Sequence, residues 1–219
     1  MALFFALGSA CFLIGPFPGY AQLVGASADA VTFFVGSILF TAGGALQTLT
    51  AFPERHSGAA GAAAGWSAAA IQSAGTLFFN VTTYQALHTS LSNSNYDRLV
   101  WRPDAFGSIC FLISGAIAFH ASARHGWLPV RGRPGWWESA LNLLGCILFG
   151  ISAIAGYLVP STGSLLSLAW ANWNTALGAA CFLACAVATL LTGRTLKSPR
   201  LQRLHKLEHA LEHDVEQMV

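Results

Sequence analysis

The chain is short of charge. Among its 219 residues only 20 carry a formal charge, 11 Lys or Arg and 9 Asp or Glu, where a soluble domain carries about a quarter. Nine of the 20 fall at or after Arg194, which leaves eleven for the first 193 residues. That is too few to solvate a globule of this size, so a water-soluble enzyme is excluded. Disorder is excluded from the other side, because 54% of the residues are hydrophobic. A net charge of +2 is too small for a nucleic-acid surface. The apolar body also lacks a nucleophile-base pair or a metal cage, so neither an enzyme nor a cofactor is expected. What these absences leave is an integral membrane protein.

A transmembrane helix needs about 20 mostly apolar residues. Six stretches meet or approach this, at about 2–22, 31–51, 65–86, 104–122, 136–158 and 172–192. The first breaks at Gly15-Pro16-Phe17-Pro18-Gly19, and Ala26-Ser27-Ala28 resembles a signal-peptidase site. No basic segment precedes it, and an internal repeat argues that it is retained rather than cleaved.

That repeat is Gly-x-x-x-Phe-x-x-small. It occurs at Gly8/Phe12/Gly15, Gly36/Phe40/Gly43, Gly75/Phe79/Thr82, Gly107/Phe111/Ser114, Gly145/Phe149/Ser152 and Gly178/Phe182/Cys185. The residue after each Gly is small as well: Ser9, Ser37, Thr76, Ser108, Cys146 and Ala179. Gly36, Gly107 and Gly178 are each 71 residues apart, which suggests three tandem hairpins at about 2–51, 65–122 and 136–192. At 100° per residue the Gly, the Phe and the later small residue share one face, within about 60°. Lipid gives helices no hydrophobic reason to associate, so close approach at small residues has to supply the packing. The repeated face is therefore expected to be a helix-packing face, and a bulky residue at Gly107 or Gly145 is expected to separate the hairpins. The fold class that follows is all-α: a bundle of six transmembrane helices over residues 1–193, then a tail over 194–219.

Counting Lys and Arg sets the orientation. The loops after the second and fourth stretches and the tail hold nine, and the remaining loops hold only Arg98 and Arg102. This bias puts both termini in the cytoplasm of a multi-pass protein of the bacterial inner membrane. Trp66, Trp127, Trp136 and Trp137 then mark the inner interface, and Trp101, Trp170 and Trp173 the outer one.

Polar groups inside a bilayer are costly, so each is a candidate for function. Three residues before the repeat Gly stand Gln72, Asp104, Asn142 and Thr175, where the first hairpin has Phe5 and Phe33. Gln72, Thr76, Asn80 and Thr83 also run along one stripe of the third stretch. Together Gln72, Thr76, Asn80, Asp104 and Asn142 form the candidate intramembrane polar site; hydrogen bonds that fix helix register are the competing reading. Asp104 and Glu138 are each expected in the first turn of a helix, where a carboxylate complements the dipole. The five cysteines lie inside the helices, and Cys11, Cys110 and Cys181 share the position three after the Gly, so they are expected to be packing residues.

The tail carries Leu201, Leu204, Leu207, Leu211, Val215 and Met218 on one side of an amphipathic helix that begins after Pro199. Its partners are expected to be the inner leaflet, a second copy or another protein, through residues 197–219. His205, His209 and His213 line its flank and make a weak metal candidate, with no third-ligand domain around them.

At the Gly-Ser-x-x-Phe segments and at Trp101-Arg102-Pro103-Asp104 the chain resembles bacterial multi-pass proteins with YrhK-like two-helix domains. The resemblance covers the hairpins and not the tail. It implies a membrane-embedded helical domain of unknown activity and assigns no functional residue. The expected role is that of a structural, sensory or assembly component; the alternative is a small-solute transporter or channel lined by Gln72, Asn80, Asp104 and Asn142.

Overall fold

The computed structural model describes residues 1–17, 19–58, 61–88, 92–123 and 134–195. The tail beyond Thr195, with its three histidines, and the loop holding Arg124, Trp127, Arg131 and Arg133 lie outside the described residues. The fold is all-α. Its elements in order are α1 (Ala2–Ile14), α2 (Tyr20–Val24), α3 (Ala26–Ala51), α4 (Ala62–Ala86), α5 (Asn93–Tyr96), α6 (Arg102–Ser122), α7 (Pro134–Ala155) and α8 (Leu168–Thr195). A two-stranded hairpin, Leu158–Val159 against Ser164–Leu165, joins the last two helices.

Four helical stretches are long and apolar enough to cross a membrane: Ala26–His56, Asn93–Ser122, Gly135–Ala155 and Leu168–Thr192. The large aliphatic side chains support this, because they point outward. Leu49, Leu77, Ile109, Ile154, Leu177 and Leu191 are all exposed, while the interior holds phenylalanines and small residues. A soluble protein would bury those aliphatic groups.

The boundaries differ from the sequence expectation in several places. The first stretch does not continue to residue 22: α1 stops at Ile14, before Gly15-Pro16, and α2 is a separate turn. At 13 residues α1 spans about 20 Å, less than the roughly 30 Å of a bilayer core. The helix expected from 31 starts at Ala26 instead, after Gly25, whose φ of 86° only glycine adopts without strain. Finally, Asp104 is in the first turn of α6 as expected, but that turn is not a free helix start. The chain is helical from Asn93, through a π-helical turn at Asp97–Trp101, into α6. Pro103 lacks an N–H for the preceding turn, and the π turn falls where that bond is missing. Glu138 is past the first turn, being the fifth residue of α7.

Among the described residues, α1, α3, α4, α6, α7 and α8 close into a ring. Each packs against its chain neighbours, α1 on α3, α3 on α4, α4 on α6, α6 on α7 and α7 on α8, and α8 returns to α1. Side-chain contacts show each neighbour running antiparallel. Gly15 meets Phe33 and Gly43 meets Phe5 between α1 and α3, and Phe17 stacks on Trp173 between the ends of α1 and α8. Met1 and the C-terminal end of α8 therefore share one end of the ring, called here the terminal end. The connections 15–25, 87–101 and 156–167 share the other, the loop end.

Candidate functional site

The repeat glycines work in reciprocal pairs. A Cβ on Gly8 would lie 2.7 Å from Phe40, and one on Gly36 would lie 3.1 Å from Phe12. The same exchange joins Gly75 with Phe111 and Gly107 with Phe79, then Gly145 with Phe182 and Gly178 with Phe149. Each Phe thus crosses over the glycine of the adjacent helix in its own pair. The sequence expectation that Gly107 and Gly145 hold different hairpins together is corrected by these contacts: both face their own hairpin partner. Cys11 and Cys110 pack against the opposing glycines Gly36 and Gly75, and all five cysteines are free.

Beyond the glycines, the six rings meet inside the ring of helices. Phe12, Phe40, Phe79, Phe111, Phe149 and Phe182 are all buried and form one cluster. Each ring has at least two of the others with centroids within 6.0 Å, from 5.0 Å for Phe79–Phe111 to 6.0 Å for Phe79–Phe149. These are edge and tilted contacts at the spacing aromatic pairs prefer. The result is an apolar layer across the axis.

A chamber lies on each side of this layer. The loop-end chamber has a volume of about 330 Å³ and takes wall residues from all six ring helices. Phe12, Phe79 and Phe149 form its floor, Thr82, Thr83, Ser152 and Thr175 supply hydroxyls, and Asp29 and Asp104 supply carboxylates. The terminal-end chamber is smaller, about 110 Å³. Phe40 and Phe182 close it, and Gln47, Gln72, Asn142, Cys185 and Thr189 line it.

Helix direction explains which polar residue goes where. The residues three before the repeat Gly are Phe5, Gln72 and Asn142 on α1, α4 and α7, and all three line the terminal-end chamber. On the oppositely directed α3, α6 and α8 the same position is Phe33, Asp104 and Thr175, and all three line the loop-end chamber. The sequence-predicted polar residues are therefore divided between two sites. Gln72 and Asn142 are together, Asp104 is on the far side, and the phenylalanine layer separates them.

Of the remaining candidates, Thr76 bonds within its own helix and the others join helices. Thr76 is fully buried and donates to Ser73 O, 2.6 Å away in its own helix. Asn80 Nδ2 donates to Thr41 Oγ1 at 2.9 Å and so ties α4 to α3. Thr83 shares a buried hydrogen bond of 2.8 Å with Ser37. Gln72 Oε1 accepts from Ser114 Oγ at 3.4 Å, and Ser114 Oγ also donates to Ala68 O at 2.7 Å. Glu138 faces α8, where its backbone carbonyl accepts from Cys185 Sγ.

Asp29 belongs to the loop-end chamber although the expected second span, beginning at 31, leaves it out. The signal for it was Ala26-Ser27-Ala28-Asp29 itself, small residues and a first-turn acid in keeping with a helix start. Among the described residues there is no group of three metal-ligating side chains. No protein-family model matches the chain, and no curated protein or solved structure is significantly similar to it.

Proposed function

We propose that the chain is a six-span membrane protein, built from three tandem hairpins, that passes a small solute along the axis of its ring. The observation that carries this reading is the pair of chambers facing each other across six phenylalanines. Hydrophobic constrictions between polar vestibules gate channels by excluding water. A purely structural component, the first expectation from sequence, needs the packing layer but has no use for polar chambers on both sides of it.

Two further observations support the six-span reading. At 25 residues α4 is long enough to span, about 37 Å, and its polar residues Gln72, Asn80 and Thr83 face α3, α6 or the chambers. Short as it is, α1 takes a full place in the ring between α3 and α8. The reciprocal Gly–Phe contact in all three helix pairs supports a tandem repeat; the resemblance to YrhK-like two-helix domains rests on the sequence segments alone. The bias of Lys and Arg puts the terminal end in the cytoplasm of a bacterial cell. The tail from 197 to 219 is then a cytoplasmic element available to the inner leaflet or a partner, and no enzymatic step is assigned to the chain.

A cysteine-accessibility scan tests the passage. In a variant lacking the five native cysteines, Gln72→Cys and Asn142→Cys are expected to react with a membrane-impermeant thiol reagent from the cytoplasmic face only. Asp104→Cys and Ser152→Cys are expected to react from the opposite face only, and Asn80→Cys, which faces α3, from neither. Uniform protection of the first four positions would sink the reading.

A further inference from the structure

We infer that the loop-end chamber binds a small organic cation of the alkylammonium class. This rests on the passage reading and gives the passage a substrate class. Three features of the chamber converge on it. First, its lining holds two carboxylates, Asp29 and Asp104, and among the described residues no Lys, Arg or His. Among the described residues neither acid has an ion-pair partner: the ion pair present is Asp97–Arg102, outside the chamber, and Asp29 Oδ1 is buried with no hydrogen bond. Both residues are half-buried; a carboxylate partly withdrawn from water without a countercharge is costly, and a bound cation offsets that cost. Second, the chamber is bounded by the rings of Phe12, Phe33, Phe79 and Phe149. Aromatic walls attract weakly hydrated cations such as substituted ammonium ions and offer nothing to an anion. Third, the volume of about 330 Å³ exceeds what a bare metal ion needs and suits a small organic ion.

The opposite chamber makes the contrast. Its lining holds amides, a hydroxyl and a thiol in place of carboxylates, together with Phe5, Phe40 and Phe182. A cation is therefore held at the loop end and not at the terminal end. The two acids come from different parts of the ring, Asp29 from the start of α3 and Asp104 from the first turn of α6. Both approach the chamber from the loop end, which the Lys and Arg bias puts on the side away from the cytoplasm.

The test is equilibrium binding of tetramethylammonium to the full chain in lipid nanodiscs, with tert-butanol as an uncharged probe of similar shape. Wild type is expected to bind tetramethylammonium saturably and tert-butanol not at all. Asp29→Asn and Asp104→Asn are each expected to weaken binding about tenfold, and the double variant to abolish it. Asp97→Asn, outside the chamber, is expected to leave binding unchanged. Size-exclusion profiles matching wild type establish that each variant has folded. Equal binding of both probes, displacement of tetramethylammonium by an equal concentration of sodium, or indifference to both Asp→Asn changes would overturn the inference. The outcome is separable from the accessibility scan. Saturable, carboxylate-dependent binding in a protein whose four cysteine positions are all protected would uphold the cation site and remove the passage. Two-sided accessibility without tetramethylammonium binding would do the reverse.

Discussion

Gly178 on α8 and Phe149 on α7 are in direct contact: a Cβ on Gly178 would lie 2.5 Å from Phe149 Cδ2 and 3.1 Å from the carbonyl oxygen of Gly145. The ring of Phe149 can lie across α8 only because residue 178 has no side chain. The same ring is in the apolar layer and in the floor of the loop-end chamber. Helix packing and chamber shape are thus set by one contact.

Gly178→Ala is expected to destabilise the protein by about 1–3 kcal/mol, because one obstacle is a backbone carbonyl that cannot turn aside. Gly65→Ala is the comparison. No atom lies within 4 Å of its added Cβ, and alanine favours a helix by about 1 kcal/mol, so stability is expected to stay equal or rise. Thermal unfolding of both variants in detergent checks the order.

Phe149→Ala is expected to join the two chambers. The layer loses a ring that meets Phe12, Phe79 and Phe182 within 6.0 Å. Proteoliposomes containing the variant should leak small solutes faster than those with wild type. Stability is expected to fall by about 3–5 kcal/mol as the cavity opens. Unchanged permeability with a confirmed loss of stability would mean that the layer is packing alone.

Ser37 and Thr83 share a buried hydrogen bond between α3 and α4. Thr83 also donates to Phe79 O at 2.8 Å, so it is not orphaned when Ser37 is lost. Ser37→Ala is expected to cost about 1 kcal/mol, and a double-mutant cycle with Thr83→Val should give a coupling of about 0.6 kcal/mol. A coupling of zero would show that the hydroxyls act independently.

The cysteines divide by position. Cys185 lines the terminal-end chamber, whereas Cys146 is completely buried between α7 and the neighbouring helices. In the native protein a small thiol reagent applied from the cytoplasmic face is expected to label Cys185 and leave Cys146 unmodified. Mass spectrometry of the labelled peptides reads the result.

Much of the packing was legible in the residues. Gly-x-x-x-Phe places glycine and phenylalanine on one face by helical geometry alone, and all twelve of those residues are buried. The partner of each face was not legible. Spacing identifies a contact surface, but reciprocity between Gly107 and Phe79 depends on two antiparallel helices meeting at one height. The break at Gly15-Pro16 could be read from the chain; the helix through Asn93–Trp101 could not, since Pro103 suggests a start and only the π turn carries the helix past it.

The polar residues show the same division. In four cases the residue three before one glycine meets the residue seven after the glycine of its mate. Phe5 covers Gly43, Phe33 covers Gly15, Gln72 accepts from Ser114, and Thr175 bonds Ser152 at 2.7 Å. One linear pattern therefore produces an aromatic fit in the first pair and polar contacts in the others.

By itself the sequence determined the helical class, the apolar, membrane-length stretches and the buried Gly-x-x-x-Phe face of each ring helix, because scarcity of charge and 3.6-residue periodicity are local properties. Closure of the ring was decided only in three dimensions. Antiparallel succession sends one repeated position alternately to opposite ends, so that Gln72 and Asn142 face one chamber, Asp104 and Thr175 face the other, and six phenylalanines meet between them.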